Sequence, residues 1–122
     1  SRIKMAVRDD GRDAISIVSL KERFNNYSML DISIETGRTH QIRVHLAHYK
    51  LPLIGDKTYN PRANIQKNSS AEAIKLIRGF PRQALHAQTI KFRSIDNDDE
   101  LTFSAPLAND ISKLVKNLKT FA

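Results

Sequence analysis

The chain contains no cysteine among its 122 residues. Disulfides, thiolate metal sites and thiol nucleophiles are therefore excluded from its chemistry. It also lacks an uninterrupted apolar run of roughly 18 residues, the length that a membrane-spanning helix needs, and it shows no basic-then-apolar leader. These absences favour a reducing compartment and argue against insertion into a membrane, so we expect a cytoplasmic protein.

Acidic residues are outnumbered. The chain has 20 lysines and arginines against 13 aspartates and glutamates, a formal net charge of +7. A positive surface of this kind attracts polyanions, which include RNA, DNA and acidic membrane surfaces. The length corresponds to a single small domain with a modest core.

The first half of the sequence predicts two strands and a hairpin. In residues 14–24, Val18, Leu20 and Phe24 share one face of a strand. The pair Asn25 and Asn26 predicts a hairpin turn, because asparagine tolerates positive φ. The second strand follows in "YSMLDISIE", and its inward side chains are predicted to be Leu30, Ile32 and Ile34.

The later segments predict three helices and a second pair of strands. A short helix after Gly37 carries the apolar stripe Ile42, Leu46 and Tyr49, with Thr39 as its cap. A second helix runs through "SSAEAIKLIRGF" with Ser70 as cap, and the strands "AQTIKFR" and "ELTFSAP" precede a helix in "NDISKLVKNLKTF". The predicted inward residues are Ile74 and Ile77 in the second helix, Ile90, Phe92, Leu101, Phe103 and Ala105 in the strands, and Ile111, Leu114, Val115 and Leu118 in the last helix. The order β-β-α-α-β-β-α predicts an α+β domain.

Three histidines lie close together in "GRTHQIRVHLAH", at positions 40, 45 and 48. A helical metal site usually takes histidines at i and i+4, whereas His40 and His45 are five residues apart and point in different directions. A metal-dependent hydrolase is therefore the weaker interpretation, and we expect no metal. The better interpretation is that these histidines hydrogen-bond the backbone or line a cleft, and His86 is interpreted in the same way.

Two arginines of the same stretch call for partners. Arg38 precedes the helix start, where backbone N–H groups favour an anion, so it is either a phosphate contact or a solvated turn residue. Arg43 lies beside the apolar stripe, and a partly buried guanidinium needs a carboxylate or a phosphate. Asp56 and Asp31 are the candidates within the chain, in which case the pair would be structural.

Three motifs occur in a specific order: "GRTHQIRVHL" at 37–46, "PLIGDKTY" at 52–59 and "RQALHA" at 82–87. Together they resemble the C-terminal half of the RluA-type pseudouridine synthases, and the third motif is most similar to the RluD branch. The resemblance covers essentially the whole chain. It implies that residues 1–122 are the C-terminal portion of a catalytic domain with a mixed, mainly antiparallel sheet and packed helices.

The resemblance also implies an activity: isomerisation of uridine to pseudouridine in large-subunit, 23S-type ribosomal RNA, without a metal or an organic cofactor. The target uridine is expected to flip out of its stack. A catalytic aspartate of the family forms a salt bridge with the arginine of the "HQIR" motif, a role that falls to Arg43. The implied RNA contacts are Arg38, Thr39, His40 and Gln41. By the same resemblance, Gly37, Gly55, Asp56 and Tyr59 shape the backbone and packing.

The chain departs from the family in one respect. The catalytic aspartate belongs to an upstream "HRLD"-like motif, which does not occur here. Asp9 and Asp10 lie in a loop-like context and Asp31 on a strand, and none of them stands in that motif. We therefore expect this chain alone to be inactive, and either to self-associate through surfaces that the missing half would cover or to be only marginally stable. The alternative is a non-catalytic, basic RNA-binding module.

Overall fold

The computed structural model describes residues 2–9, 12–35, 40–94, 96 and 99–121, apart from the side chains of residues 7–9, 12 and 92. Its elements, in chain order, are β1 (Arg2–Asp9), β2 (Arg12–Phe24), β3 (Tyr27–Ile34), α1 (Gln41–His48), α2 (Ala71–Gly79), β4 (Thr89–Arg93), β5 (Glu100–Ser104) and α3 (Asn109–Phe121). The predicted α+β class is confirmed. All strand pairs within those ranges are antiparallel, in one sheet of three strands and one of two.

Strand β1 is absent from the predicted order, which is therefore incomplete. It pairs antiparallel with β2 along its whole length, from Arg2 opposite Ser19 to Asp9 opposite Arg12. Asp9 is thus a strand residue rather than a loop residue, whereas Asp10 lies outside the described residues. The sequence did carry a signal, because apolar side chains alternate at positions 3, 5 and 7 ahead of an Asp-Gly pair, a typical hairpin turn.

The predicted hairpin between β2 and β3 is confirmed. Phe24 pairs with Tyr27 across the two-residue turn, and Asn25 has a φ of 56°. That left-handed conformation is tolerated better by asparagine than by most residues. A bulge between Leu20 and Glu22 shifts the register of the pair.

One face of the three-stranded sheet packs against α1. Met5 and Val18 of the sheet and Leu46 of α1 form the buried centre of this contact. Leu20 and Ile34, both predicted to face inward, are 52% and 48% exposed. The physical reason is the length of α1, since eight residues span only about 12 Å and cover the middle of the face.

The second core lies between α2 and α3. Its buried residues are Ile77, Phe80, Ile111, Leu114 and Leu118. The predicted cap of α2 is confirmed, since the Ser70 hydroxyl accepts a hydrogen bond from the backbone N–H of Ala73 at 3.0 Å. This bond satisfies one of the helix's free N–H groups.

The hairpin of β4 and β5 differs from its prediction. Ile90 and Phe103 pair directly across it and are 55% and 58% exposed, and Leu101 is 37% exposed. Ala105 is also exposed, and the side chain of Phe92 lies outside the description. The alternation predicts a strand correctly, but it does not show whether anything covers the apolar face. No helix of the described ranges is long and apolar enough to cross a membrane.

Candidate functional site

Helix α1 is held against β2 by a small buried polar network. The side-chain amide of Gln41 donates to the backbone carbonyl of Ile15 at 2.8 Å and to the hydroxyl of Ser16 at 3.1 Å. The same hydroxyl lies 2.8 Å from Nδ1 of His45. All three side chains of this network are buried, at 5%, 1% and 2% exposure for Gln41, Ser16 and His45. Since buried polar groups need partners, these contacts fix the position of α1 on the sheet.

The helix begins differently from its prediction. His40, rather than Thr39, is the N-cap residue, with a φ of 52° and no side-chain capping bond. Thr39 itself lies outside the described residues. The buried face of α1 also differs, since Gln41, His45 and Leu46 are buried whereas Tyr49 is 43% exposed.

Arg43 has its partner within the chain. Its Nε donates to one carboxylate oxygen of Asp56 at 2.8 Å and its Nη2 to the other at 2.9 Å. The side chain of Asp56 is fully buried, and that of Arg43 is 13% exposed. Such a bidentate pair fixes both the distance between the guanidinium and the carboxylate and their relative orientation. Of the two candidates named from the sequence, Asp56 is therefore the partner, and Asp31 lies exposed on β3.

Asp56 is also the centre of a turn. Its Oδ1 accepts hydrogen bonds from the backbone N–H groups of Thr58 and Tyr59, both at 3.1 Å. The hydrogen bond from Arg43 is the largest cause that lowers the pKa of Asp56, and it outweighs the burial that would raise it. The same pair raises the pKa of Arg43. Both groups are therefore charged at neutral pH.

One aromatic ring lies next to the guanidinium of Arg43, and a second ring contacts the first. Its Cζ lies over the ring of Tyr59, 5.2 Å from the ring centroid. The Tyr59 hydroxyl lies 3.2 Å from Nδ1 of His40, and the two rings meet edge to face with centroids 5.9 Å apart. We call Arg43, Asp56, Tyr59 and His40 the arginine cluster. It joins the start of α1 to the loop that follows it.

The loop of the arginine cluster rests on the segment after α2. The backbone N–H of Ala84 donates to the carbonyl of Ile54 at 2.8 Å. Gly55 has a φ of 79°, and a Cβ on it would lie 2.0 Å from the carbonyl oxygen of Arg82. Arg82 in turn makes a bidentate pair with Asp110 of α3, both bonds at 2.8 Å. Two of the three sequence motifs therefore meet by close backbone contact, and Arg82 is paired with a carboxylate.

The predicted site residues divide into three groups. Arg38 and Thr39 lie outside the described residues. His40 and Arg43 belong to the arginine cluster, and His40 is exposed. Gln41 points at β2, so RNA contact by its side chain stays a prediction that would require these bonds to break. The family resemblance places Asp56 and Tyr59 among the packing residues, whereas the need of a partly buried Arg43 for an anionic partner identifies Asp56 as a candidate from the sequence itself.

The three histidines of the stretch have separate surroundings. His40 contacts Tyr59, His45 contacts Ser16, and the ring of His48 meets that of Tyr49 edge to face. Among the described residues, no group of three histidine, aspartate or glutamate side chains could hold a metal ion.

Burial of His45 predicts a pH-dependent stability. Desolvation is the main cause that lowers its pKa, and the charge of nearby His48 adds to it. An unfolded histidine takes up a proton near pH 6.5, whereas the folded His45 resists it. The contribution of His45 to the free energy of unfolding is therefore present above about pH 6.5 and is lost as the pH drops below that value.

Thermal melting between pH 7.5 and pH 5.5 measures this effect. We expect the melting temperature to fall over this range and a His45→Gln variant to lose most of the dependence. A dependence that survives unchanged in His45→Gln would contradict the assignment.

Comparison with known proteins gives consistent matches. A family model described as RNA pseudouridylate synthase matches residues 1–48. The chain is 45% identical over 118 residues to ribosomal large subunit pseudouridine synthase D of Xanthomonas campestris. The aligned region covers 97% of this chain and 36% of that protein. The same-named proteins of Pasteurella multocida and Haemophilus influenzae are 44% and 41% identical over 97% of the chain.

The chain thus spans about a third of the length of these relatives, each of which it again matches over 36%. The matches extend from β1 to α3, so they include all three motifs and the arginine cluster. The similarity of this chain to the RluA-type pseudouridine synthases, and to their RluD branch in particular, is thereby confirmed.

Proposed function

We propose that this chain is the C-terminal portion of the catalytic domain of a pseudouridine synthase that isomerises uridine in large-subunit ribosomal RNA. The observation that carries the proposal is the arginine cluster. Arg43, whose side chain is only 13% exposed, is paired with a carboxylate, lies over an aromatic ring and belongs to the region that aligns with enzymes of that name. The net charge of +7 suits a polyanionic substrate.

Arg43 takes the central role in this proposal. We infer that its guanidinium pairs with the catalytic aspartate, which the upstream part of the protein supplies. Since Asp56 uses Nε and Nη2, the aspartate would meet the guanidinium at Nη1. An arginine in this position stabilises the carboxylate in its charged, nucleophilic form.

The RNA is expected to approach at the start of α1. Arg38, Thr39 and His40 are the proposed contacts, and the exposed ring of His40 supports its inclusion. Gln41 holds the helix start against β2, and its proposed contact with the RNA requires these hydrogen bonds to break. The proposal requires no cofactor, because the carboxylate of the catalytic aspartate acts directly on the ribose of the target uridine.

The test compares two proteins on one RNA. A transcript of large-subunit ribosomal RNA is incubated with the gene product that contains an upstream "HRLD"-type segment, or with the 122-residue chain alone. Pseudouridine is then measured by mass spectrometry after nuclease digestion. We expect conversion with the first protein and none with the second. Pseudouridine formation by the 122-residue chain alone would overturn the assignment of the nucleophile to the upstream segment.

The basic charge also supports a second candidate, a non-catalytic RNA-binding module. This candidate predicts salt-dependent binding of RNA by the chain with no conversion by any longer form of the protein. Conversion by the longer protein therefore decides between the two.

Self-association of the isolated chain belongs to the same proposal. Ile90, Leu101 and Phe103 are exposed apolar residues on one face of the second sheet, and exposed apolar surface of this kind favours association. Sedimentation should show concentration-dependent dimers or larger species, reduced in an Ile90→Thr, Phe103→Thr variant. A monomer at every concentration would contradict this part of the proposal.

A further inference from the structure

The guanidinium of Arg43 is used on one edge only. A guanidinium carries five N–H donors. Asp56 takes one from Nε and one from Nη2. Within the part of the chain that the structure describes, no second carboxylate pairs with the guanidinium, which leaves both N–H groups of Nη1 and the second one of Nη2 for a further acceptor.

Asp56 is well suited to hold Arg43 in one orientation. Its carboxylate is fully buried, and two backbone N–H groups anchor it independently of α1. Its own backbone is tied down as well, since its N–H donates to the carbonyl of Leu53 and its carbonyl accepts from Asn60. The guanidinium is thus docked on a rigid turn rather than on a mobile side chain.

The aromatic residues of the cluster limit the remaining freedom. The Arg43 Cζ lies over the ring of Tyr59, 5.2 Å from its centroid, and His40 lies within hydrogen-bond distance of the Tyr59 hydroxyl. Besides Asp56, Tyr59 is the titratable group of the described residues that acts on the charge of Arg43. The guanidinium is therefore oriented by a carboxylate at one edge and lies over an aromatic ring.

Asp56 also changes the charge that an approaching group meets. The Arg43 and Asp56 pair is neutral as a whole, and in a site of low dielectric its attraction for a second carboxylate is weaker than that of an unpaired guanidinium. A carboxylate that is less stabilised in its charged form keeps a higher affinity for electrophiles and for protons. The Arg43 and Asp56 pair thus orients the guanidinium without a strong loss of basicity in the catalytic carboxylate.

We propose that Asp56 is a positioning residue that aims the open Nη1 edge of Arg43 at the catalytic carboxylate and moderates the positive charge that this carboxylate meets. The proposal rests on the proposed function, because it requires that a catalytic aspartate from the upstream segment reaches Arg43. It assigns a chemical consequence to a residue that the family resemblance places among the packing positions.

The test is a pH profile of kcat for the full gene product, with Asp56→Asn and Asp56→Glu as variants. In Asp56→Asn we expect kcat to fall about tenfold or more, with KM little changed, because the guanidinium loses its orientation. The acid limb of the profile should move to lower pH, since an unneutralised guanidinium lowers the pKa of the catalytic carboxylate. Asp56→Glu keeps the charge but displaces the guanidinium, so it should give an intermediate kcat and an unshifted acid limb.

A matched control is provided by the second bidentate pair of the chain. Asp110→Asn removes the partner of Arg82 outside the arginine cluster and should leave kcat and the acid limb unchanged. Thermal melting of each variant separates loss of fold from loss of orientation. If Asp56→Asn does not fold, Asp56→Glu decides the question, and a wild-type kcat in that variant would overturn the proposal.

The outcomes are distinguishable from failure of the proposed function. An inactive wild-type gene product would refute the proposed function itself. An active wild type, together with a folded Asp56→Asn variant whose acid limb is unshifted, would leave the proposed function intact and overturn the role of Asp56.

Discussion

Replacing Asp56 by alanine should lower the free energy of unfolding by about 3 kcal/mol, the low end of the range for breaking a buried ion pair. The change leaves a guanidinium that is only 13% exposed without its carboxylate. It also removes the acceptor of the backbone N–H groups of Thr58 and Tyr59. Urea denaturation of the 122-residue chain, followed by circular dichroism, measures the loss.

The second ion pair of the chain is the control for this prediction. Arg82 and Asp110 pair with the same bidentate geometry, but their side chains are 38% and 42% exposed. Solvent screens such a pair, so Asp110→Ala should cost much less than Asp56→Ala. Equal losses in the two variants would show that burial of the Arg43 pair does not matter for stability.

A double variant separates the charge from the packing. Replacing Arg43 by methionine and Asp56 by leucine removes both charges and leaves apolar side chains of similar size. Because breaking one half of a buried pair is costlier than removing both halves, the double variant should recover much of the stability that Asp56→Ala loses.

Gly55→Ala should be destabilising by about 3 kcal/mol, the sum of a strained backbone and a steric overlap. Gly55 has a φ of 79°, which an L side chain adopts at a cost. Its Cβ would also lie 2.0 Å from the carbonyl oxygen of Arg82 and 3.0 Å from the ring of Phe80. The overlapping oxygen belongs to the backbone and cannot rotate away, so the loop and the segment after α2 would have to separate.

Gly79 supplies the matched control, since a Cβ there would meet nothing within 4 Å. Gly79→Ala at the end of α2 should leave stability unchanged or raise it slightly, because alanine favours the helix. Thermal melting of the two variants side by side is the measurement. A Gly55→Ala protein that melts at the wild-type temperature would contradict the described contact between the two motifs.

Local signals in the sequence predict much of the fold. The Asn25 and Asn26 turn and the Ser70 cap depend on neighbouring residues alone, and both are confirmed. The apolar stripe of α3 is confirmed as well, since Ile111, Leu114 and Leu118 are buried. β1 could have been recognised by the same alternation that identified the other strands.

Tertiary contacts limit the rest of the prediction. Leu20, Ile90 and Phe103 are apolar residues in correctly predicted strands, yet each is more than half exposed. Alternation shows that a strand has an apolar face, but it carries no information on what covers that face. The same limit applies to the buried face of α1, where the polar residues Gln41 and His45 are buried because Ser16 of β2 offers them hydrogen bonds.

Part of the candidate site could be predicted from the sequence, and part of it could not. The need of Arg43 for an anionic partner follows from the sequence, as do Asp56 and Asp31 as alternatives within the chain. Tyr59 could not be assigned to the cluster in this way, because its contact with the guanidinium depends on how the loop after α1 folds back on the helix.

The most direct test of the account is the single-turnover rate of pseudouridine formation by the full gene product with Arg43→Lys, compared with Arg82→Lys as a control. Lysine keeps the charge but cannot reproduce the bidentate geometry. If Arg43 stabilises the catalytic carboxylate, its substitution should slow the reaction by about a hundredfold or more, whereas Arg82→Lys should stay near the wild-type rate. A wild-type rate in a folded Arg43→Lys protein would contradict the central role assigned to this arginine.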